Sequence, residues 1–396
     1  MGIVSCLGNT LGEVKQALHE RRSGVRFMPD YADLGFRSRV AGVPDLSQEE
    51  PIDRKKRRYM GNVAIYAWHA ARHAIEDAGF TPSQLSNPRI GLIVGSGVGS
   101  LLQHSAAVDI LRARGIDKVP PYVVPQTMAS TASACLATAL GIQGISYSIS
   151  SACATSSHCI GHAAELIRFG QQDVVIAGGA EEVCWTSTMA FDAMGALSAR
   201  YNECPTEASR PFDKGRDGFV IAGGAGILIL EELTHARARG ARIHGEVVGY
   251  GACSSSGDMV AAAPEGPARS MRSAMAQAGV RIDYINAHAT STPAGDASEA
   301  VAIRDVFGEA LPLVSSTKGI TGHPIGASGA HEAIFCLLML QGQFIAACAN
   351  LAEPDRELRE IPLVRETMPR CVSTIMSNSF GFGGANVSLI FAGWQG

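Results

Sequence analysis

Apolar and polar positions alternate along the chain with two periods, and the switches between them mark out its elements. Short, nearly continuous apolar runs at Arg89 to Val94, Gly144 to Ser150, Asp173 to Ala177 and Ile282 to Ala287 predict buried strands. Each is followed by a stretch with helical spacing, and an apolar-periodic helix is predicted from about Met60 to Ala78. Strands alternating with helices predict an α/β protein with buried sheets. No proline-rich or charged linker divides the chain, so a soft boundary is placed near Gly240, giving halves 1–240 and 241–396. The halves share a faint logic. Tyr147 to Ser150 leads into Cys153 in the first, and Tyr284 to Ala287 leads into His288 in the second. That echo fits a duplicated α/β unit whose strand ends face one shared site.

Composition narrows the classes. The 396 residues carry a formal net charge of −4, with 46% hydrophobic and 18% charged residues. That balance excludes both a basic nucleic-acid coat and a disordered chain. The longest apolar stretch, Gly218 to Leu230, is too short and too glycine-broken for a membrane span. Met1 to Cys6 lacks the features of a secretory signal, so a cytoplasmic address is the expectation. Ten cysteines are spread without Cys-x-x-Cys pairs, which reads as reduced thiols, one of which has room to be a nucleophile.

Local sequence singles out Cys153. Ser150-Ser151-Ala152-Cys153-Ala154-Thr155-Ser156 leaves a strand and enters a helix that Gly170 stops. At a helix N-terminus the free amides and the dipole favour thiolate, which predicts a pKa below the free value of ~8.5 and backbone donors for an oxyanion. The competing reading is a buried cysteine in a tight elbow. His158 and His162 stand at i, i+4 on the same helix, but no further ligands complete a zinc set, and metal is expected to be absent.

Three further segments carry chemistry. His288 ends a strand before Thr290, Thr292, Asp296 and Glu299. Lys318 and His323 flank the glycine-rich Gly319 to Gly322, from which both can reach a cleft. Ser377 to Asn386 (Ser-Asn-Ser-Phe-Gly-Phe-Gly-Gly-Ala-Asn) separates two apolar strands. It lacks the Lys-Ser/Thr of a phosphate loop, and Gly95 to Ser100 lacks the third glycine of a dinucleotide fingerprint, so nucleotide binding is discarded.

Together, Ser151-Ala152-Cys153, His288 to Thr292, Lys318 with Gly322-His323, and Gly381-Phe382-Gly383-Gly384-x-Asn386 resemble the β-ketoacyl-acyl-carrier-protein synthases of the thiolase superfamily. The similarity runs across nearly the whole chain. Tyr147 to Cys159, Glu181 to Trp185 and Phe191 to Ser198 look most like the type I elongating enzyme of fatty acid synthesis.

The resemblance implies a five-layered αβαβα fold with duplicated mixed-sheet halves, a homodimer, and acyl carrier protein as partner. It implies no cofactor beyond the 4'-phosphopantetheine carried by that protein. By the same resemblance Cys153 accepts the acyl chain, His288 and His323 assist decarboxylation of a malonyl thioester, and Lys318 and Glu299 support the site. The amides of Cys153 and Phe382 form the oxyanion hole. Thr290 and Thr292 bind the pantetheine arm, Met128 and Phe191 line the acyl pocket, and Phe382 gates it. The basic run Arg54, Lys55, Lys56, Arg57 and Arg58 reads either as a carrier-docking edge or as a solvated helix start.

Two departures from the family pattern stand out. A strand and a Thr-Gly-x-Gly turn usually precede a segment like Gly2 to Ser5, which predicts an upstream start or a first sheet one strand short. Ala289 replaces a common glycine, which predicts strain beside His288 if that backbone needs φ > 0. Competing readings are a degradative thiolase, a cysteine hydrolase, a non-catalytic chain-length subunit, and a condensing enzyme of a specialised polyene or polyketide pathway.

Overall fold

The computed structural model describes residues 1–260, 263–358 and 360–394. In chain order the elements that build the site are β1 (Gly2–Val4), α1 (Asn62–Ala78), β2 (Ile90–Gly95), α2 (Leu101–Arg114), α3 (Val123–Thr127), α4 (Thr131–Leu140), β3 (Ser146–Tyr147), α5 (Thr155–Arg168), β4 (Val174–Glu181), α6 (Trp185–Met194) and β5 (Gly224–Glu231). The second half continues with β6 (Glu246–Ser254), α7 (Glu265–Ala278), β7 (Tyr284–Asn286), α8 (Pro293–Phe307), β8 (Leu313–Ser315), α9 (Lys318–Thr321), α10 (Ser328–Gly342), β9 (Thr374–Gly381) and β10 (Ala385–Ala392).

Two five-stranded sheets run β1-β5-β4-β2-β3 and β6-β10-β9-β7-β8. In both, the first two pairings are antiparallel and the last two parallel. The sheets are therefore copies of one mixed unit. α1 and α4 cover the outer face of the first sheet, α7 and α8 that of the second, and α5 and α10 pack between the two. Five layers result, α/β/α/β/α.

Sequence explains each layer. α1 buries Val63, Ala67, Ala70, Ala71 and Ala74 on one stripe and stops at Gly79, whose φ of 71° favours glycine. α10 lies between two sheets and is buried on every side from Ser328 to Leu340, which is why its apolar positions show no stripe. β4 is buried along its whole length and reads as a continuous apolar run.

The duplication corrects one sequence reading. By sheet position the counterpart of β3, which leads to Cys153, is β8, which leads to His323; β7, which leads to His288, matches β2. The first sheet is not a strand short either, because Gly2–Val4 itself forms β1. That strand is brief: it pairs with Ala225 to Ile227, whereas its counterpart β6 pairs along the whole of β10. Among the described residues no strand covers the outer edge of Leu228 to Glu231. A groove of about 570 Å³ lies there, lined by Met1, Leu228, Leu230, Ile243 and Val247, and it contains none of the chemistry-bearing residues singled out above.

Candidate active site

Each sheet ends in a sharp elbow that starts a central helix. A single 3-10 turn, Ala152–Ala154, precedes α5, and another, Ile325–Ala327, precedes α10. Ala152 and Ile325 have φ of 51° and 41°, a left-handed conformation that is costly for a residue with a side chain. The two elbows meet between the sheets. The first presents Cys153. Just before the second, His323 is fixed by hydrogen bonds from its N–H to Val220 O (2.7 Å) and from Ala222 N to its carbonyl (3.1 Å).

The result is a Cys-His contact across the duplication, with Cys153 Sγ 3.0 Å from His323 Nε2. His288 comes from the end of β7, its ring centroid 5.3 Å from that of His323 and nearly perpendicular to it. Sγ and one ring nitrogen of each histidine lie within 4.8 Å of one another. They line a cavity of about 300 Å³ with Phe191, Phe219, Thr290, Thr292, Glu299, Phe380 and Phe382.

Burial sets the protonation states. The Cys153 thiol is pushed up to about 12 by loss of water, against the opposing pull of the Lys318 charge and the N–H groups of Phe382 and Cys153. The expected standing thiolate is thus corrected. In this dry elbow desolvation outweighs the helix terminus, and the sulfur rests as a thiol. The same burial, with Lys318 nearby, holds His288 and His323 well below the ordinary histidine range, so both imidazoles are neutral at pH 7. The backbone N–H groups of Phe382 and Cys153 lie close enough to the sulfur to favour its anionic form.

The other candidates distribute unevenly. Glu299 accepts hydrogen bonds from His288 N (3.0 Å), Ala289 N (2.7 Å) and Asn378 Nδ2 (3.0 Å), so it anchors the backbone that carries His288. Thr290 and Thr292 sit on the cavity wall with their hydroxyls 3.2 Å apart. Phe191 lines the cavity edge-to-face with Phe219, and Phe382 stands half-exposed over it in the turn between β9 and β10. Lys318 does not reach the cleft: it is 1% exposed and its ammonium pairs with Glu332 of α10. Met128 is not in the cavity wall. It lies between α3 and α4, its N–H on Val124 O and its carbonyl accepting from Thr131 N. Ala289 is unstrained, since the residue with positive φ is Ser291 (72°), which Asp296 Oδ1 holds through its N–H.

In the basic run, Lys56 packs over Trp68 and donates to Ala139 O, Arg57 donates to Met60 O, and Arg58 lies over Tyr59 and Tyr122. Arg54, Lys55, Arg57 and Arg58 are exposed, and Lys56 is partly buried. His158 and His162 are hydrogen-bonded to Ser151 Oγ and Tyr147 OH.

Glu332 and Glu181 are buried acids to which the sequence reading gave no role. Glu332 holds Lys318. Glu181, at the end of β4, accepts from Ser96 Oγ (2.6 Å) and from the N–H groups of Gly97, Val98 and Gly326 (2.8, 3.2 and 3.0 Å). It ties the loop after β2 to the His323 elbow. The only signal in sequence is an acid closing an apolar strand, which is common at strand ends.

Comparison with known proteins agrees with this architecture. Residues 1–236 match the family model for the β-ketoacyl synthase N-terminal domain, and residues 244–352 that for the C-terminal domain. The chain belongs to the β-ketoacyl synthase family. It is 53% identical to 3-oxoacyl-[acyl-carrier-protein] synthase 1 of Haemophilus influenzae, over 100% of this chain and 98% of the relative. To the protein of the same name in Escherichia coli K12 it is 52% identical, over 98% and 97%. A β-ketoacyl synthase crystal structure from Burkholderia phymatum STM815 superposes with a TM-score of 0.94 at 37% identity, over 100% and 98% of the two chains. This β-ketoacyl synthase is accordingly a thiolase-like condensing enzyme, an acyltransferase that forms carbon–carbon bonds.

Proposed function

We propose that the chain elongates fatty acyl groups by decarboxylative Claisen condensation with malonyl-acyl carrier protein, in two half-reactions that share Cys153. The observation that carries the roles is the 3.0 Å contact between Cys153 Sγ and His323 Nε2 at the wall of an apolar cavity. In the first half-reaction Sγ attacks the acyl thioester while its proton is relayed to the departing pantetheine sulfur, His323 Nε2–H staying hydrogen-bonded to Sγ. Negative charge on the carbonyl oxygen is taken by the N–H groups of Cys153 and Phe382, and the pantetheine thiol leaves with a proton.

Malonyl carrier protein then enters. Loss of CO2 leaves an enolate whose oxygen accepts hydrogen bonds from the neutral imidazoles of His288 and His323. Neutral donors suit this step because an imidazolium would hold the malonyl carboxylate by its charge and oppose its departure. The enolate carbon attacks the acyl-Cys153 carbonyl, the thiolate is expelled and reprotonated, and a β-ketoacyl thioester two carbons longer leaves.

Thr290 and Thr292 would bind the pantetheine arm, and Phe191 with Phe219 would bound the acyl tail. Arg54, Lys55, Arg57 and Arg58 are exposed and would meet the acidic carrier, while Lys56 is partly covered over Trp68. The test is intact-mass analysis after mixing with acyl donors of graded length and malonyl carrier protein. The native chain is expected to gain one acyl group on Cys153 and to return the carrier two carbons longer. Cys153→Ala should do neither, and condensation by that variant overturns the reading.

A further inference from the structure

The three groups that surround the reacting centre are also a soft donor set, a sulfur and two imidazole nitrogens. We infer that Cys153, His288 and His323 form an exchangeable site for a thiophilic divalent cation of the Zn2+ type, whose occupation shuts off the nucleophile. Geometry carries this. One ligand atom from each residue lies within 4.8 Å of the other two, and Sγ to His323 Nε2 is 3.0 Å. A tetrahedral zinc with Zn–S near 2.3 Å and Zn–N near 2.0–2.1 Å spaces its ligand atoms roughly 3.3–3.6 Å apart. Side-chain rotations that open the sulfur–nitrogen contact slightly and draw in His288 meet that requirement.

Three protein ligands with a fourth position open to a cavity is the layout of an accessible metal site rather than a closed structural one. Glu299 does not supply the fourth ligand, because its two oxygens are already held by His288 N, Ala289 N and Asn378. Nδ1 of both His288 and His323 is buried without a hydrogen-bond partner among the described residues, and in His323 it is the nitrogen turned away from Sγ. Resident metal sites orient each histidine through that nitrogen, and loss of such a partner lowers affinity about ten- to a hundredfold. This site therefore binds and releases its cation. Binding replaces the S–H bond by a metal–sulfur bond and gives the proton to water, with no change of oxidation state. Acyl-Cys153 has no lone thiolate to offer, so acylation and metal binding exclude each other.

Titration with Co2+ alone, a spectroscopic stand-in for Zn2+, tests the site in the full chain. A thiolate-to-cobalt charge-transfer band of unit stoichiometry is expected, absent from Cys153→Ala and from acylated enzyme, with the fold of the variant checked by circular dichroism. Zn2+ should slow alkylation of Cys153, mapped by peptide mass, at least about tenfold, and a chelator should restore it. A band that persists in Cys153→Ala but vanishes in Cys204→Ser or Cys371→Ser, the two exposed cysteines, overturns the proposal. So does alkylation unaffected by millimolar Zn2+. These readouts need no turnover, so failure of the condensation chemistry leaves them interpretable and remains separately visible as the absence of acyl adduct.

Discussion

Cys153 and His323 owe their contact to two residues that hold an unfavourable backbone. Ala152 and Ile325 both turn left-handed, at matching places in a duplicated elbow, and each costs on the order of 1 kcal/mol or more. Such strain persists because the flanking helices and strands over-determine it. At this scale the imidazoles contribute to pH dependence beside the buried acids Glu181, Asp296 and Glu332, whose carboxyls burial raises to about 7. The folded pKa values of the imidazoles lie below the unfolded value of about 6.5, so the unfolded chain takes up protons first as pH falls. Their stability contribution is complete above about 6.5 and is lost as pH drops from there toward the folded values. Decarboxylation of malonyl carrier protein, followed as CO2 release, should therefore show no inflection near pH 6.5, and a half-point there would assign an ordinary histidine to the step. His288→Ala or His323→Ala should slow CO2 release about a hundred- to thousandfold, as loss of one oxyanion donor does. The position of Cys153 in an elbow is plain from its neighbours. Its raised pKa is not, because burial comes from the fold around it, and the cavity it shares is lined by Phe219, His288, His323 and Phe380, all remote in sequence.

Elements impose the next constraint, since the central helices must approach closely for the two elbows to touch. A methyl group added at Gly329 of α10 would lie 1.9 Å from Ser157 Oγ and 2.9 Å from Ser157 N of α5, and backbone cannot yield as a side-chain tip can. Gly329→Ala should destabilise by about 1–3 kcal/mol, read as a lower denaturation midpoint, and should reduce acylation more than this stability loss explains. Acylation at the native rate would show that the helix spacing does not set the site. The Lys318–Glu332 pair joins α9 to α10 in the same layer, almost wholly buried. Lys318→Met should cost about 3–5 kcal/mol by leaving Glu332 uncompensated, and pairing it with Glu332→Leu should recover most of that loss in thermal unfolding. A double variant as unstable as the single one would mean that the charge itself is required. The helical stripe of α1 and the apolar run of β4 were readable from periodicity. α9, only four residues long, was not, and so Lys318 was expected in the cleft.

On the scale of the whole molecule, two copies of one mixed sheet face each other and the site lies where their elbows meet. The strand β3 is an exposed edge of the first sheet, and Leu111, Ile116, Val124 and Tyr147 are exposed nearby in the chain. An uncovered edge with apolar neighbours favours pairing with a second copy. Sedimentation should give a dimer. Leu92 N donates to Ile145 O, which turns the Ser146 N–H to the outer edge, so Ser146→Pro should weaken that dimer while leaving the sheet intact. A native chain that sediments as a monomer removes the homodimer from the account. The sequence by itself determined the alternation of strands and helices and the family pattern, and it singled out Cys153, His288 and His323 as candidates, because periodicity and short motifs are local properties. Only the tertiary structure decided which strands correspond, that Lys318 faces Glu332, that Met128 lies outside the cavity of its own chain, and that the thiol is held protonated. Burial and charge pairing are sums over neighbours that the chain brings together from both halves, and no local window contains them.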